Sequence, residues 1–245
     1  MANQKPLLKT EHKDLTIALN RRPEYGDAVL AAVTFPAEFR HIQHYYPICF
    51  RKDEETKEVQ ALALFGFEQG ENLFIKDEKW DAQYIPMTIE IQPFLIGLDN
   101  KNTETGSIYI DMDSPRVNPT DGGTRVFNED GSETDYLAYV RQRLEALHQM
   151  SASTQAFYEF LEKFDLLEPF VLEVGFVDGT ARRLKGFHTI HEERFRSLDG
   201  KVIQEMWELG YLLPCFMMFA SLSSITDLVD RKNVQIGNRE EGSGE

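Results

Sequence analysis

Residues 169–187 read PFVLEVGFVDGTARRLKGF. Pro169–Val177 and Thr180–Phe187 are strand-like runs on either side of Asp178-Gly179, a dipeptide that strongly marks a short antiparallel hairpin. Helical patterns bracket this hairpin. Upstream, Leu137, Val140, Leu144 and Leu147 recur at helical spacing from Thr134 onward. Phe157, Phe160, Leu161 and Phe164 carry a second helix after Ser151–Thr154, a stretch of cap-forming residues, so two helices forming a hairpin are expected. Downstream, a short helix begins near Glu192 and another spans Lys201–Leu209, with Asp199 as N-cap and Gly210 as stop. A last helix lies around Leu222–Val229. The fold class is α+β.

Outward from there, the N-terminal half is β-rich, antiparallel or mixed. Strand-like runs fall at Leu15–Leu19, Ala28–Phe35, Pro47–Lys52, Val59–Phe67, Leu73–Ile75, Met87–Ile91 and Ser107–Met112. Val59, Ala61, Ala63 and Phe65 share one face while Leu62 and Leu64 occupy the other, which predicts a central strand with both faces buried. A short helix fits between Pro36 and Pro47. Asp99–Asp135 is rich in Asn, Asp, Gly, Thr and Pro, a loop-rich connector and the candidate for an internal boundary. The organisation read from this is an N-terminal extension (1–14), one domain (15–232) and a mobile tail (233–245).

The 245 residues carry 26 Lys+Arg against 41 Asp+Glu, a formal charge of −15. Such a balance gives no electrostatic reason to bind nucleic acid or an anionic bilayer. Lys5, Lys9, Glu11 and Lys13 interrupt the apolar core a secretory signal needs, which points to the cytoplasm and leaves export by a signal-independent route open. Tyr211–Ala220 (YLLPCFMMFA) is interrupted by Pro214 and is about half a membrane span long, so it reads as core and no integral membrane segment is expected. Cys49 and Cys215, both in apolar runs, read as buried thiols.

Two histidine pairs share one spacing, His41/His44 and His188/His191. On a helix, residues three apart share a face, so the four imidazoles are the candidate ligands of an iron or zinc ion. Yet His188 and His191 straddle a strand end, where residues three apart point to opposite faces. No cofactor is the primary expectation, and iron or zinc the alternative. Ser221, Ser223 and Ser224 lack a nucleophile elbow, and Gly66–Gly70 lacks the Lys-Ser/Thr ending of a phosphate loop. The remaining feature is aromatic: Phe65, Phe67, Phe74, Trp80, Tyr84 and Phe94 within thirty residues. Core packing explains most of them; Phe67, Phe74, Trp80 and Tyr84 are the candidate groove for a protein or peptide partner.

The ordered set YPICF (46–50), LFGFEQGENLFI (64–75), KWDAQYIP (79–86), PFLIG (93–97) and the long run from Val177 to Leu228 resembles the SapC family over about residues 10–232. The family pattern usually has an aromatic residue where this chain has His188 and an Asp where it has His191, which weakens the metal alternative. The resemblance implies a bacterial protein of about 250 residues with no established enzymatic activity and, by its name, a surface-layer association. It also implies an accessory role beside flavin-dependent halogenases, cupin-like oxygenases or TonB-dependent receptors. It supplies no catalytic residue. The expectation is a non-enzymatic accessory protein that binds a peptide or protein; a His-ligated metalloenzyme and a surface-layer structural protein are the alternatives, and the oligomeric state is left open.

Overall fold

The computed structural model describes residues 3–56, 58–97 and 107–242. The strands are β1 (Gln4–Pro6), β2 (Thr16–Ile17), β3 (Ala31–Thr34), β4 (Ile48–Lys52), β5 (Val59–Leu64), β6 (Ile75–Lys76), β7 (Lys79–Trp80), β8 (Phe94–Gly97), β9 (Ser107–Asp111), β10 (Thr124–Arg125), β11 (Leu167–Gly175) and β12 (Ala181–Ile190). The helices are α1 (Lys9–His12), α2 (Phe39–Ile42), α3 (Met87–Glu90), α4 (Asp135–Lys163), α5 (Glu192–Arg196), α6 (Gly200–Glu208), α7 (Leu212–Ser221) and α8 (Ser224–Gly242). The α+β class holds: the sheets are antiparallel and the helices gather toward the C-terminus.

The chain divides into two compact units, one formed by residues 1–28, 75–81 and 87–152, the other by 29–74, 82–86 and 153–245. The division therefore interleaves along the sequence and does not fall in the loop-rich connector, of which residues 99–106 lie outside the described residues. In the first unit β1 pairs with β9, and β9 with β8, so the N-terminal extension contributes a strand. Buried charge organises this unit. The Arg116 guanidinium donates to the carbonyls of Ala18 (3.0 Å) and Asn20 (3.1 Å) and to the Asp27 carboxylate. Arg21 donates to the same carboxylate at 3.3 Å and to the Ile89 carbonyl at 3.2 Å. Met87–Ile91, expected as a strand, forms the turn of α3 instead. Its alternating Met87, Ile89 and Ile91 look strand-like, but the Ile91 N–H bonds locally to the Met87 carbonyl at 3.1 Å.

The second unit is built on a five-stranded antiparallel sheet ordered β11-β12-β4-β5-β3. As the two-sided apolar pattern predicts, β5 is an interior strand and Ala61 to Phe65 are all buried. The β11–β12 hairpin closes through Val177, Asp178 and Gly179: the Phe176 N–H reaches the Thr180 carbonyl at 2.8 Å and Gly179 adopts φ +79°. This is a three-residue connection with glycine at the left-handed position. The Asp178 carboxylate accepts from the Thr180 hydroxyl (2.7 Å) and N–H (2.9 Å), which holds its pKa below the usual value.

The expected pair of helices before this hairpin is a single helix, α4, of 29 residues. Ser151–Thr154 do not cap because nothing there forces an end: no Gly or Pro occurs between 134 and 163, and buried Leu137, Val140, Leu144, Leu147, Thr154, Tyr158 and Leu161 keep one heptad phase, with a single exposed position at Ser151. The last helix likewise exceeds its expected bounds. α8 continues to Gly242, so helical backbone extends into the segment expected as a mobile tail.

Candidate functional site

The aromatic residues nominated from sequence sit mainly inside. Phe67 and Phe74 are each 2% exposed and Trp80, on β7, is 9% exposed. The Phe67 ring packs edge-on against Phe176, and Phe74 lies between Tyr46, 4.6 Å away, and the Arg231 guanidinium, 4.3 Å from its ring centre. Tyr84 is half-buried; its hydroxyl donates to Glu38 at 2.8 Å and its ring stacks on the His41 imidazole at 5.0 Å. The structure thus joins one residue from the aromatic group to one from the histidine group, a pairing the sequence spacing does not suggest.

His41 and His44 are exposed. His188 is half-buried and lines a cavity of about 200 Å³ with Lys52, Glu162, Asp165, Leu167 and Pro169, while the His191 Nδ1 lies 3.8 Å from Glu168. Among the described residues, no group of three or more His, Cys, Asp or Glu side chains is arranged to hold a metal ion. Cys49 and Cys215 are buried free thiols; burial raises both pKa values, that of Cys215 to about 12. The Gly66–Gly70 loop also has a structural task. It leads into Glu71, which accepts from the Phe67 N–H at 2.8 Å and from the buried Lys232 ammonium at 2.5 Å, fastening α8.

Elsewhere in the second unit, several large apolar side chains are exposed at the end of α6 and on α7. α6 ends in a Schellman motif: Gly210 adopts φ +74°, its N–H bonds to the Trp207 carbonyl at 3.1 Å, and the Tyr211 N–H bonds to Met206 at 2.8 Å. The chain turns directly into α7. Pro214 does not interrupt it, because a proline in the first helical turn removes an N–H that has no intrahelical partner. With nine apolar residues from Leu212 to Ala220, this helix is apolar on every side. One side buries Pro214, Cys215 and Met218, and Ser221 anchors its end by accepting the Ile48 N–H at 2.9 Å. The other side is largely uncovered. Leu213 is 49% and Phe216 55% exposed, Ala220 is exposed, and at the end of α6 Leu209 and Trp207 are exposed as well, the latter 74%.

A groove of about 310 Å³ adjoins this stripe, walled by Pro36, Ala37, Arg40, Leu209, Leu213 and Met217 among others. Phe157 and Phe160 hold the Tyr211 ring beside it at 5.3 and 5.4 Å, and Phe195 braces Phe216 at 5.6 Å. Sequence reasoning missed this face by assigning Tyr211–Ala220 to the core. The signal was available: a helix without a polar side can bury only the part that neighbours cover. By length and composition Leu212–Asn238 also passes as long and apolar enough to cross a membrane, an 18-residue window within it having mean hydropathy 1.6 and a third of its residues buried. One such stretch is weak evidence. It consists of two helices separated at Leu222 and Ser223, and it contains Asp227, Asp230, Arg231 and Lys232, costly in hydrocarbon.

Comparison with known proteins decides the family. The SapC family model matches residues 7–228, most of the chain. The chain belongs to the SapC family. The match includes the whole α6–α7 face, so this surface lies within the SapC domain. No curated protein and no solved structure matches the chain.

Proposed function

We propose that this SapC-family protein is a non-enzymatic accessory protein of the cytoplasm that holds a protein or peptide partner on the α6–α7 face. One observation carries the reading: Leu209 and Leu213 stand exposed on the wall of a groove, and Phe216 is exposed one helical turn beyond Leu213 on α7. Contiguous exposed apolar surface of this kind marks interaction sites, and the binding energy of such sites concentrates in a few large side chains such as Trp. The sequence-nominated Phe67, Phe74 and Trp80 offer a partner little surface, since their side chains are already packed inside. The setting implied by the family resemblance makes a halogenase, a cupin-like oxygenase or a TonB-dependent receptor the first partners to try.

Quantitative affinity purification from the native host tests this with three baits: the natural chain, the Leu213→Ser/Phe216→Ser double variant and Trp80→Ala. The expected result is a saturable partner whose recovery falls at least about tenfold with the double variant, folding being unchanged by circular dichroism. Equal recovery by the natural chain and the double variant would place the docking surface elsewhere. If Trp80→Ala alone loses the partner while keeping its fold, the aromatic groove is the site.

A further inference from the structure

The groove beside α7 carries one sign of charge. Pro36, Leu209, Leu213 and Met217 give it apolar walls, and among the residues lining it only Arg40 is charged. That cation is uncommitted. Arg40 is exposed on α2, which packs against α7, and its guanidinium makes no hydrogen bond or ion pair among the described residues. Arg21, Arg116, Arg182 and Arg194 are by contrast held by carboxylates of the chain itself. Tyr211 lines the groove too; its hydroxyl makes no hydrogen bond among the described residues, and Phe157 and Phe160 flank its ring. α7 starts in the same wall without a side-chain cap, so its first backbone N–H groups add potential of the same sign.

An apolar slot with a free guanidinium selects a carboxylate joined to an apolar body, because the planar fork of arginine meets a carboxylate with two parallel hydrogen bonds while the walls take the hydrocarbon. Resting on the docking reading above, we propose that the groove receives the C-terminal residue of the partner, its terminal carboxylate on Arg40 and its large apolar side chain against Leu209, Leu213 and Met217. Two observations favour a chain end over a small free acid. The volume of about 310 Å³ lies at the small end of ligand sites and suits one large residue. Leu213 is at once groove wall and exposed surface, and Phe216 is exposed one turn further along α7, so the residues preceding that terminus have apolar surface to cover. A small free acid would leave it bare.

The test screens the full chain against an array of hexapeptides varied at their last four positions, each synthesised twice, with a free C-terminal carboxylate and as the C-terminal amide. Peptides ending in a large apolar residue should retain the chain at least about tenfold better as carboxylates, since the amide loses a charge-assisted pair. Arg40→Gln should erase that difference, and Arg40→Lys should restore part of it. Because Arg40 makes no bond among the described residues, neither variant should move the urea midpoint. Leu213→Ser should weaken carboxylates and amides alike. Equal retention of carboxylates and amides, with Leu213→Ser weakening both, overturns the terminal-carboxylate inference and leaves the docking face standing. A carboxylate preference that survives Arg40→Gln overturns it as well, by placing the anion elsewhere. N-acetylphenylalanine that displaces the best peptide at equal concentration overturns it in favour of a free acid. Retention of no peptide also overturns it, while the face itself answers to the affinity purification with Leu213→Ser/Phe216→Ser.

Discussion

Arg116 is the largest fully buried side chain among the described residues, and its position is a problem in charge balance. Burial works to lower its pKa, and Asp27, itself fully buried, opposes that effect. Arg21 competes for the same carboxylate, so two guanidiniums share one anion and also donate to three backbone carbonyls, while the buried Arg116 Nε has no hydrogen-bond partner among the described residues. Removing one partner of such a group leaves an uncompensated charge indoors. Asp27→Ala should therefore cost about 3–5 kcal/mol in urea unfolding. A loss below about 1 kcal/mol would mean that water reaches the guanidiniums. Nothing in the sequence announces this cluster: Asp27 and Arg116 are 89 residues apart, and charged residues are by default assigned to the surface. The same default hid Lys232, whose ammonium is buried against Glu71.

Turns and caps show what was legible at the level of elements. Asp178-Gly179, Asp199 and Gly210 all mark real boundaries, since each relies on a residue type the local backbone requires; the Asp199 side chain accepts the Lys201 N–H at 2.8 Å. Gly210→Ala forces an L-residue into the left-handed region and should cost about 1–2 kcal/mol in chemical unfolding. No measurable loss would show that the α6–α7 turn can take another conformation. Ser151–Thr154 misled for a related reason, because cap-forming residues are permissive and only Gly or Pro compels a break.

The turn carboxylates also give a pH dependence. Asp53, Asp130 and Asp178 have pKa values lowered by hydrogen bonds to their charged forms. Their contribution to stability is full above the unfolded-state value of about 3.9 and is lost as pH falls through the lowered folded-state values. The urea midpoint should drop as the pH is taken from 5 toward 3, and Asp178→Asn should make that drop smaller. An unchanged slope in the variant would remove Asp178 from the account.

For the whole molecule, the charge of −15 and the apolar α6–α7 face belong to one description. On the proposed reading, the acidic charge disfavours a second copy while the apolar α6–α7 face is left for a partner of a different kind. The class of fold and the family were legible in sequence because both rest on motif order along the chain. The exposed α6–α7 face was not, because exposure depends on which neighbours cover a helix, and a wholly apolar helix looks the same whether it is covered or bare. The most direct measurement is amide hydrogen exchange on the full chain, free and bound to the partner recovered by affinity purification. Protection concentrated in residues 207–220, with little change at 65–84, is the predicted result; protection confined to 65–84, with 207–220 exchanging as in the free protein, would contradict the account.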